Sequence, residues 1–293
     1  MNTSATPSSV TLSGRWLVVG AHGMLGQDMV AAARAAGAEV DGVDRQHLDI
    51  TDAAAALAGV RGYDVVVNCA AWTAVDAAED QEAAAFAVNA VGAQNLARAA
   101  AATGARIVQI STDYVFEGHG SEPYVEDAPM APVSAYGRTK AAGEWAVRAS
   151  NPDHLVVRTA WLYGAGGPNF PKTMARLGAE RDVLTVVDDQ QGQPTWTVDL
   201  ADLIVRLVAA GAPSGTYHGT ASGVVTWNGF AQAVMAAAGL GARVEPVSSA
   251  AFAAKAPRPA YSVLGHDALR AVGVAPIGDW AERWKAAAAS VLA

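Results

Sequence analysis

Cysteine is almost absent: Cys69 is the single one in 293 residues. That excludes an internal disulfide and a Cys-x-x-Cys zinc pair. The six histidines show no His-x-x-x-His spacing, so no metal is expected. Basic residues are also scarce. Lys and Arg number 20 against 28 Asp and Glu, a net charge of −8, and only Lys140, Lys172, Lys255 and Lys285 are lysines. A chain this acidic has no general pull toward nucleic acid or an anionic membrane, and neither is expected as a partner. Any phosphate must be held locally, by a few cations or backbone N–H groups. No apolar run is long enough for a membrane span. Residues 1–14, MNTSATPSSVTLSG, lack Lys, Arg and an apolar block. They read as a disordered start and not as a secretory signal, and a cytoplasmic location is expected.

What is present is apolar material, 52% of the residues, enough for a sizeable core. It is arranged rhythmically. Strands are predicted at 16–20, 38–44, 63–71, 105–112 and 154–164. Helices are predicted at 24–37, 51–60, 79–103 and 134–149. Thr51 and Asp52 make a good helix start, Ser134 another, and Gly104 a stop. Such alternation argues for an α/β fold of the Rossmann type, a doubly wound parallel sheet with helices on both faces. Beyond Gly164 prolines and glycines become denser. Helices are expected at 168–180, 197–210, 226–238 and 279–291, with short strands at 183–187 and 243–247. This reads as a smaller mixed α/β lobe. The expected division is 15–162 for a nucleotide-binding Rossmann domain, to which segments near 197–218 return, and 163–293 mainly for a substrate-binding lobe. Open α/β sheets bind ligands at the carboxyl ends of their strands, so the site is expected between sheet and lobe.

Gly20, Gly23 and Gly26 lie between the first strand and the first helix. Alone the spacing is weak; its position is not, because a dinucleotide pyrophosphate sits on helix N–H groups at that point. Asp44 follows the second strand. A carboxylate there binds ribose hydroxyls and favours NAD, whereas Arg45 beside it suits a 2′-phosphate and NADP. Both are present, so cofactor choice stays open. Asp49 and Ile50 border the same region, or Asp49 caps the next helix.

The stretch "SAYGRTK" places Tyr136 four residues before Lys140. Seven Tyr and four Lys give about 0.1 such pairs by chance. On a helix the two share one face. An ammonium about 5 Å from the phenol is worth roughly 3 kcal/mol at an effective dielectric of 20. That is expected to lower the Tyr136 pKa by about two units and let it exchange a proton near neutrality. Thr112, with Ser111 before it, ends the fourth strand, where a hydroxyl can polarise a substrate carbonyl.

The fragments "GAHGMLGQDM", "VVVNCAAWTAVDAAE", "STDYVFEG", "PVSAYGRTKAAGE", "VVRTAWLYG", "DDQQGQPT" and "RPAYSVL" together resemble the extended short-chain dehydrogenase/reductase family. Within it they resemble the dTDP-4-dehydrorhamnose reductase group, from about residue 15 to the C-terminus. The resemblance implies that Gly20, Gly23, Met24, Leu25 and Gly26 hold the pyrophosphate and that Asp44, Arg45, Asp49 and Ile50 surround the adenosine. Ala70, Ala71, Trp72 and Thr73 line the cofactor channel. Thr112 binds the sugar carbonyl, Tyr136 donates the proton, and Lys140 holds the nicotinamide ribose. Asp113 and Trp161 match positions that contact the nucleotide sugar; Asn169 and Arg258 are further candidates for it. The implied activity is reduction of the C4 ketone of dTDP-4-dehydro-β-L-rhamnose to dTDP-L-rhamnose with NADPH, NADH being possible, by a monomer or homodimer.

Two alternatives accompany it: reduction of another dTDP-4-keto-6-deoxyhexose, and a non-catalytic, NADP-binding regulatory subunit. A sugar-nucleotide dehydratase is disfavoured. Tyr114 stands where such enzymes carry a Glu, after Thr112 and Asp113.

Overall fold

The computed structural model describes residues 12–251 and 254–293. The expected disordered start lies outside them as far as residue 11. Residues 12–14 depart from that expectation: Leu12 is buried in the core and its N–H donates to the Ala36 carbonyl at 2.7 Å.

The chain opens as β1 (Arg15–Val19), α1 (Met24–Ala35), β2 (Glu39–Val43), α2 (Ala53–Gly59) and β3 (Val65–Asn68). Next come α3 (Val75–Asp80), α4 (Glu82–Phe86), a π-helical segment Ala87–Gly92, α5 (Ala93–Thr103), β4 (Arg106–Thr112), α6 (Ala135–Ser150) and β5 (His154–Thr159). Then follow β6 (Leu162–Tyr163), α7 (Phe170–Glu180), β7 (Val183–Val187), β8 (Gln191–Gly192), β9 (Thr195–Trp196), α8 (Thr197–Ala209) and β10 (Gly215–His218). The chain closes with β11 (Val225–Thr226), α9 (Trp227–Ala238), β12 (Arg243–Val247), α10 (Asp267–Ala271) and α11 (Trp280–Leu292).

Six strands form one parallel sheet in the order β10-β5-β4-β3-β1-β2. The central strands β1 and β3 are almost continuously apolar because both faces are covered, whereas the edge strand β2 carries Glu39 and Asp41. Trp16 and Val18 point to one face, where Met29 of α1 and Leu200, Leu203 and Ile204 of α8 pack. Leu17 and Val19 point to the other, against Ala93, Leu96 and Ala100 of α5. This is the two-residue side-chain period of a strand read against two helical layers. The second half of the chain does not stay apart. α8 packs on α1, β10 pairs with β5, and Leu269, Val274 and Ile277 join the same core as Met29. A second core surrounds Tyr163, Phe230 and Trp284, over the parallel pair β7 and β12.

The single helix expected over 79–103 is instead three pieces. Gln81, at φ −127° and ψ 39°, breaks the chain between α3 and α4, and a π-helical turn interrupts it again before α5. An Ala-rich segment offers no sequence signal for such breaks, since alanine suits every helical geometry. Among the described residues no helix is long and apolar enough to cross a membrane.

The sheet order reverses at β1: the chain goes outward to β2 and then returns to β3 on the other side. The crevice at the carboxyl ends of β1 and β3 is the switch point at which open α/β sheets bind ligands.

Candidate active site

A cavity of about 540 Å³ lies at that switch point. Its first wall is the turn after β1. Gly20 takes φ +80°, a conformation other residues avoid. A Cβ on Gly26 would sit 2.1 Å from the Gly20 carbonyl oxygen, so only glycine lets α1 start this close to the turn. No side chain caps α1, whose N-cap is Gly23. Its first N–H groups therefore point at the cavity edge formed by Gly23, Met24, Leu25 and Gly26.

The second wall is the segment after β3. Cys69, Ala70, Ala71 and Thr73 line the cavity. Asn89, from the π-helical turn, fixes this segment. Its Oδ1 accepts from the Trp72 N–H at 2.8 Å, and its Nδ2 donates to the Trp72 carbonyl at 3.1 Å and to Thr139 Oγ1 at 3.0 Å. π-Helical turns inside helices commonly mark functional sites, and here the turn aims an amide at the cavity segment.

The floor comes from β4 and α6. Ser134 caps α6, its hydroxyl accepting from the Gly137 N–H at 3.1 Å. One turn later α6 presents Tyr136 and Lys140 to the end of β4. Thr112 Oγ1 donates to Asp113 Oδ1 at 2.8 Å, and Thr112 and Tyr136 line the same wall of the cavity. Tyr114 packs edge-on against the Tyr136 ring, 5.5 Å between centroids. Lys140 Nζ donates to the Ile110 carbonyl at 2.6 Å. Thr112, Asp113, Tyr136 and Lys140 all line the one cavity.

The electrostatics differ from the sequence-based expectation in one respect. The Tyr136 phenol is not lowered. Burial pushes its pKa up, the bond to Thr112 opposes this, and the Asp113 charge adds to it. The ammonium of Lys140 is turned to the Ile110 carbonyl and away from the phenol, so loss of water outweighs the attraction assumed from spacing. Burial also pushes Lys140 down to about 8, with Glu144 and Cys69 opposing. Asp113 is pushed up to about 6 by burial, against its hydrogen bonds, and its Oδ2 has no partner. The Cys69 thiol is pushed up to about 12 by burial, which leaves it inert.

The far wall is aromatic. Trp161 lies face to face with Trp227 at 3.5 Å between centroids. It takes φ +48°, the one positive φ outside glycine among the described residues. Strain of this kind concentrates at ligand sites. Trp227 also borders a second cavity of about 560 Å³, lined by Phe170, Met174, Gln190 and Arg258. Arg258 donates to Asp76 Oδ2 at 2.8 Å and to the Ala256 carbonyl at 3.0 Å.

Other expected residues stand elsewhere. Asp44 and Arg45 follow β2, beside the glycine turn, and Asp44 contacts the ring nitrogens of His22 and His47. Asp49 accepts from the N–H and hydroxyl of Thr51 at 2.9 and 2.7 Å, a turn ahead of α2, and the cap of that helix is Asp52 and not Asp49. Ile50 is buried against α5 and the start of that helix. Trp72 donates its indole N–H to the Ala74 carbonyl and does not line the cavity. Asn169 is not brought to the cavity: it caps α7, and its amide is spent on the carbonyls of Gly164 and Gly167. Trp227 was not foreseeable, since an aromatic opening a helix carries no pattern of its own.

The model of the RmlD substrate binding domain matches residues 14–292. The chain belongs to the RmlD family. A dTDP-4-dehydrorhamnose reductase of Streptomyces griseus is 52% identical over 274 residues, 91% of this chain and 90% of that one. A dTDP-4-keto-6-deoxy-D-glucose reductase of Streptomyces niveus is 49% identical over 273 residues, 92% of this chain and 94% of that one. Among solved structures, a Bacillus anthracis dTDP-4-dehydrorhamnose reductase in complex with NADP superposes with a TM-score of 0.91 at 37% identity, covering 94% of this chain and 99% of that one. The reading of the sequence as an NAD(P)H-dependent oxidoreductase of this reductase group stands, as does the Rossmann-type fold.

Proposed function

We propose that this RmlD-family chain reduces the C4 ketone of dTDP-4-dehydro-β-L-rhamnose to dTDP-L-rhamnose with NADPH, in the cytoplasm. The observation that carries this is the meeting of Thr112, Tyr136 and Lys140 in a cavity whose other end is the glycine turn. The uncapped start of α1 and the space that only Gly26 leaves fit a dinucleotide pyrophosphate. Met24, Leu25, Ala70, Ala71 and Thr73 would border the rest of the cofactor. When bound, the reduced nicotinamide supplies the electron pair and hydrogen that the ketone carbon gains.

The chain's own residues do the remainder. Thr112 holds the ketone oxygen. Tyr136, a weak acid kept protonated by its burial, delivers the proton to that oxygen as negative charge develops on it. Lys140 supplies positive charge beneath both. Asp113 anchors the Thr112 hydroxyl until substrate binds, and that hydroxyl then turns its single proton from Asp113 to the ketone oxygen. The nucleoside diphosphate extends past Trp161 and Trp227 toward Arg258, whose planar fork suits a phosphate. Glycine at position 26 is expected to be obligatory. Gly26→Ala forces a Cβ against the Gly20 carbonyl oxygen and is expected to weaken NADPH binding at least about tenfold. Isothermal titration checks it, and an unchanged Kd would remove the turn from the cofactor site.

A pH limb is expected too. Lys140 is depressed to about 8, so it is protonated below that pH and loses its charge as pH rises through it. The profile of kcat/KM should therefore fall above about pH 8, because it reports the free enzyme. A profile flat to about pH 10 would take Lys140 out of the essential machinery.

The 49% identity to the Streptomyces niveus reductase favours a second reading, in which the substrate is another dTDP-4-keto-6-deoxyhexose. One pocket side chain can decide which hydroxyl orientation results. The test is to supply each keto-sugar nucleotide with NADPH and follow nicotinamide absorbance and the product's stereochemistry. Turnover with dTDP-4-dehydrorhamnose yielding dTDP-L-rhamnose supports the first reading. Turnover confined to the D-configured ketone supports the second. Cofactor binding without turnover of either would favour the regulatory role.

A further inference from the structure

We propose that the imidazoles of His22 and His47 clamp the carboxylate of Asp44 and make the choice between NADPH and NADH depend on pH. The proposal rests on the reading of the turn after β1 as the dinucleotide site.

Asp44 directly follows β2, where a carboxylate takes the ribose hydroxyls of NADH and disfavours a 2′-phosphate. Here that carboxylate is already engaged on both oxygens. Oδ1 accepts from the N–H groups of Gln46 and His47 at 2.9 and 3.3 Å and meets His47 Nδ1 at 2.7 Å. Oδ2 meets His22 Nδ1 at 2.8 Å. The two imidazoles come from different segments, one from the glycine turn and one from the loop after β2. Asp44 is 22% exposed, whereas the imidazoles are 72% and 67% exposed, so water and protons reach them freely.

A ring Nδ1–H donates to the carboxylate whether the imidazole is neutral or charged, so the geometry survives while the charge changes. Imidazole is the side chain that gains or loses its proton between about pH 5 and 8. Asp44 itself stays charged throughout, since the His47 bond holds its carboxyl below the usual carboxylate range. His22 and His47 are the charged groups that meet this carboxylate; Arg45 is its chain neighbour, and Asp49, on which the Arg45 charge acts, lies in the same loop. Arg45 has no ion-pair partner among the described residues and is free to meet a phosphate. With both imidazoles protonated the cluster is net positive and accepts a 2′-phosphate. With both neutral, the carboxylates of Asp44 and Asp49 outnumber Arg45, and the cluster suits the uncharged ribose hydroxyl of NADH.

The test measures Kd for NADPH and for NADH by tryptophan fluorescence, from about pH 5.5 to about 8.5. It compares the full-length protein, the His22→Asn/His47→Asn double variant and Asp44→Asn. The ratio Kd(NADH)/Kd(NADPH) of the unaltered protein should fall at least about fivefold from acid to alkaline pH. The double variant should show no fall, and Asp44→Asn should have a higher ratio than the unaltered protein at every pH while still falling, because its imidazoles remain. The second ionisation of the 2′-phosphate, near pH 6, occurs in all three proteins, so the double variant, which lacks the imidazoles, measures its share of any change. A ratio that stays flat or rises in the unaltered protein, or falls as steeply in the His22→Asn/His47→Asn variant, overturns the clamp. Failure of any form to bind either nucleotide would overturn the dinucleotide site itself, a different result from binding with pH-independent selectivity.

Discussion

Replacing Tyr136 by phenylalanine is expected to lower kcat about a thousandfold while the folded protein still binds NADPH. The substitution removes one oxygen atom and keeps the ring that packs edge-on against Tyr114. Packing and fold should be spared for that reason. What is lost is the proton donor at the ketone oxygen. Thr112, Lys140 and the bound nicotinamide remain, which is why the loss stops short of the uncatalysed rate. The measurement is single-turnover reduction of the keto-sugar nucleotide, beside NADPH titration of the same preparation. A kcat within about tenfold of the unaltered protein would mean that water or another group protonates the oxygen. The Tyr136 phenol is raised by burial, so this tyrosine serves as an acid over the whole working range of pH and not as a pre-formed phenolate.

The parts of this site that the sequence showed are the parts carried by local rules. Strands β1, β3 and β4 announce themselves as apolar runs, Asp52 and Ser134 as caps, and Gly104 as a left-handed stop at φ +77°. Tyr136 and Lys140 share a helix face by spacing alone, and the end of β4 supplies Thr112. The strands predicted at 183–187 and 243–247 are β7 and β12. What stayed hidden depends on contacts distant in sequence. β8, β9 and β11 are two residues each and exist only through their partners. Trp161 and Trp227 stack across 66 positions. The direction of the Tyr136 shift needed burial, which spacing does not report. The clamp on Asp44 needed the fold to bring His22 of one turn beside His47 of another.

Another network set by the fold lies behind β4. Glu144 sits one turn after Lys140 and is fully buried. Its Oε1 accepts from Ser111 Oγ at 2.6 Å and Arg158 Nε at 2.9 Å, and its Oε2 from Arg158 Nη2 at 2.8 Å and Arg148 Nη2 at 2.7 Å. Arg158, on β5, is 1% exposed and also donates to the Glu126 carbonyl at 3.0 Å. His218 faces it with Nε2 at 3.4 Å and is held neutral, its pKa lowered to about 3 by burial first and the Arg158 charge second. Removing one member of such a pair leaves a buried charge with too few partners. Arg158→Met is therefore expected to cost about 3–5 kcal/mol of stability. The double variant Arg158→Met/Glu144→Gln should recover part of that loss, because the one charge left without its partner, Arg148, is 29% exposed and keeps its bond to Thr216. Urea unfolding midpoints of the four proteins close the cycle. A loss below about 1 kcal/mol for Arg158→Met would mean that water reaches the pair and that its charges are screened. Glu144 also ties α6 to Ser111 and raises the pKa of Lys140. The same cycle therefore reads a second quantity: the Glu144→Gln single variant should move the alkaline limb of kcat/KM to lower pH, since it removes the charge that helps Lys140 keep its proton.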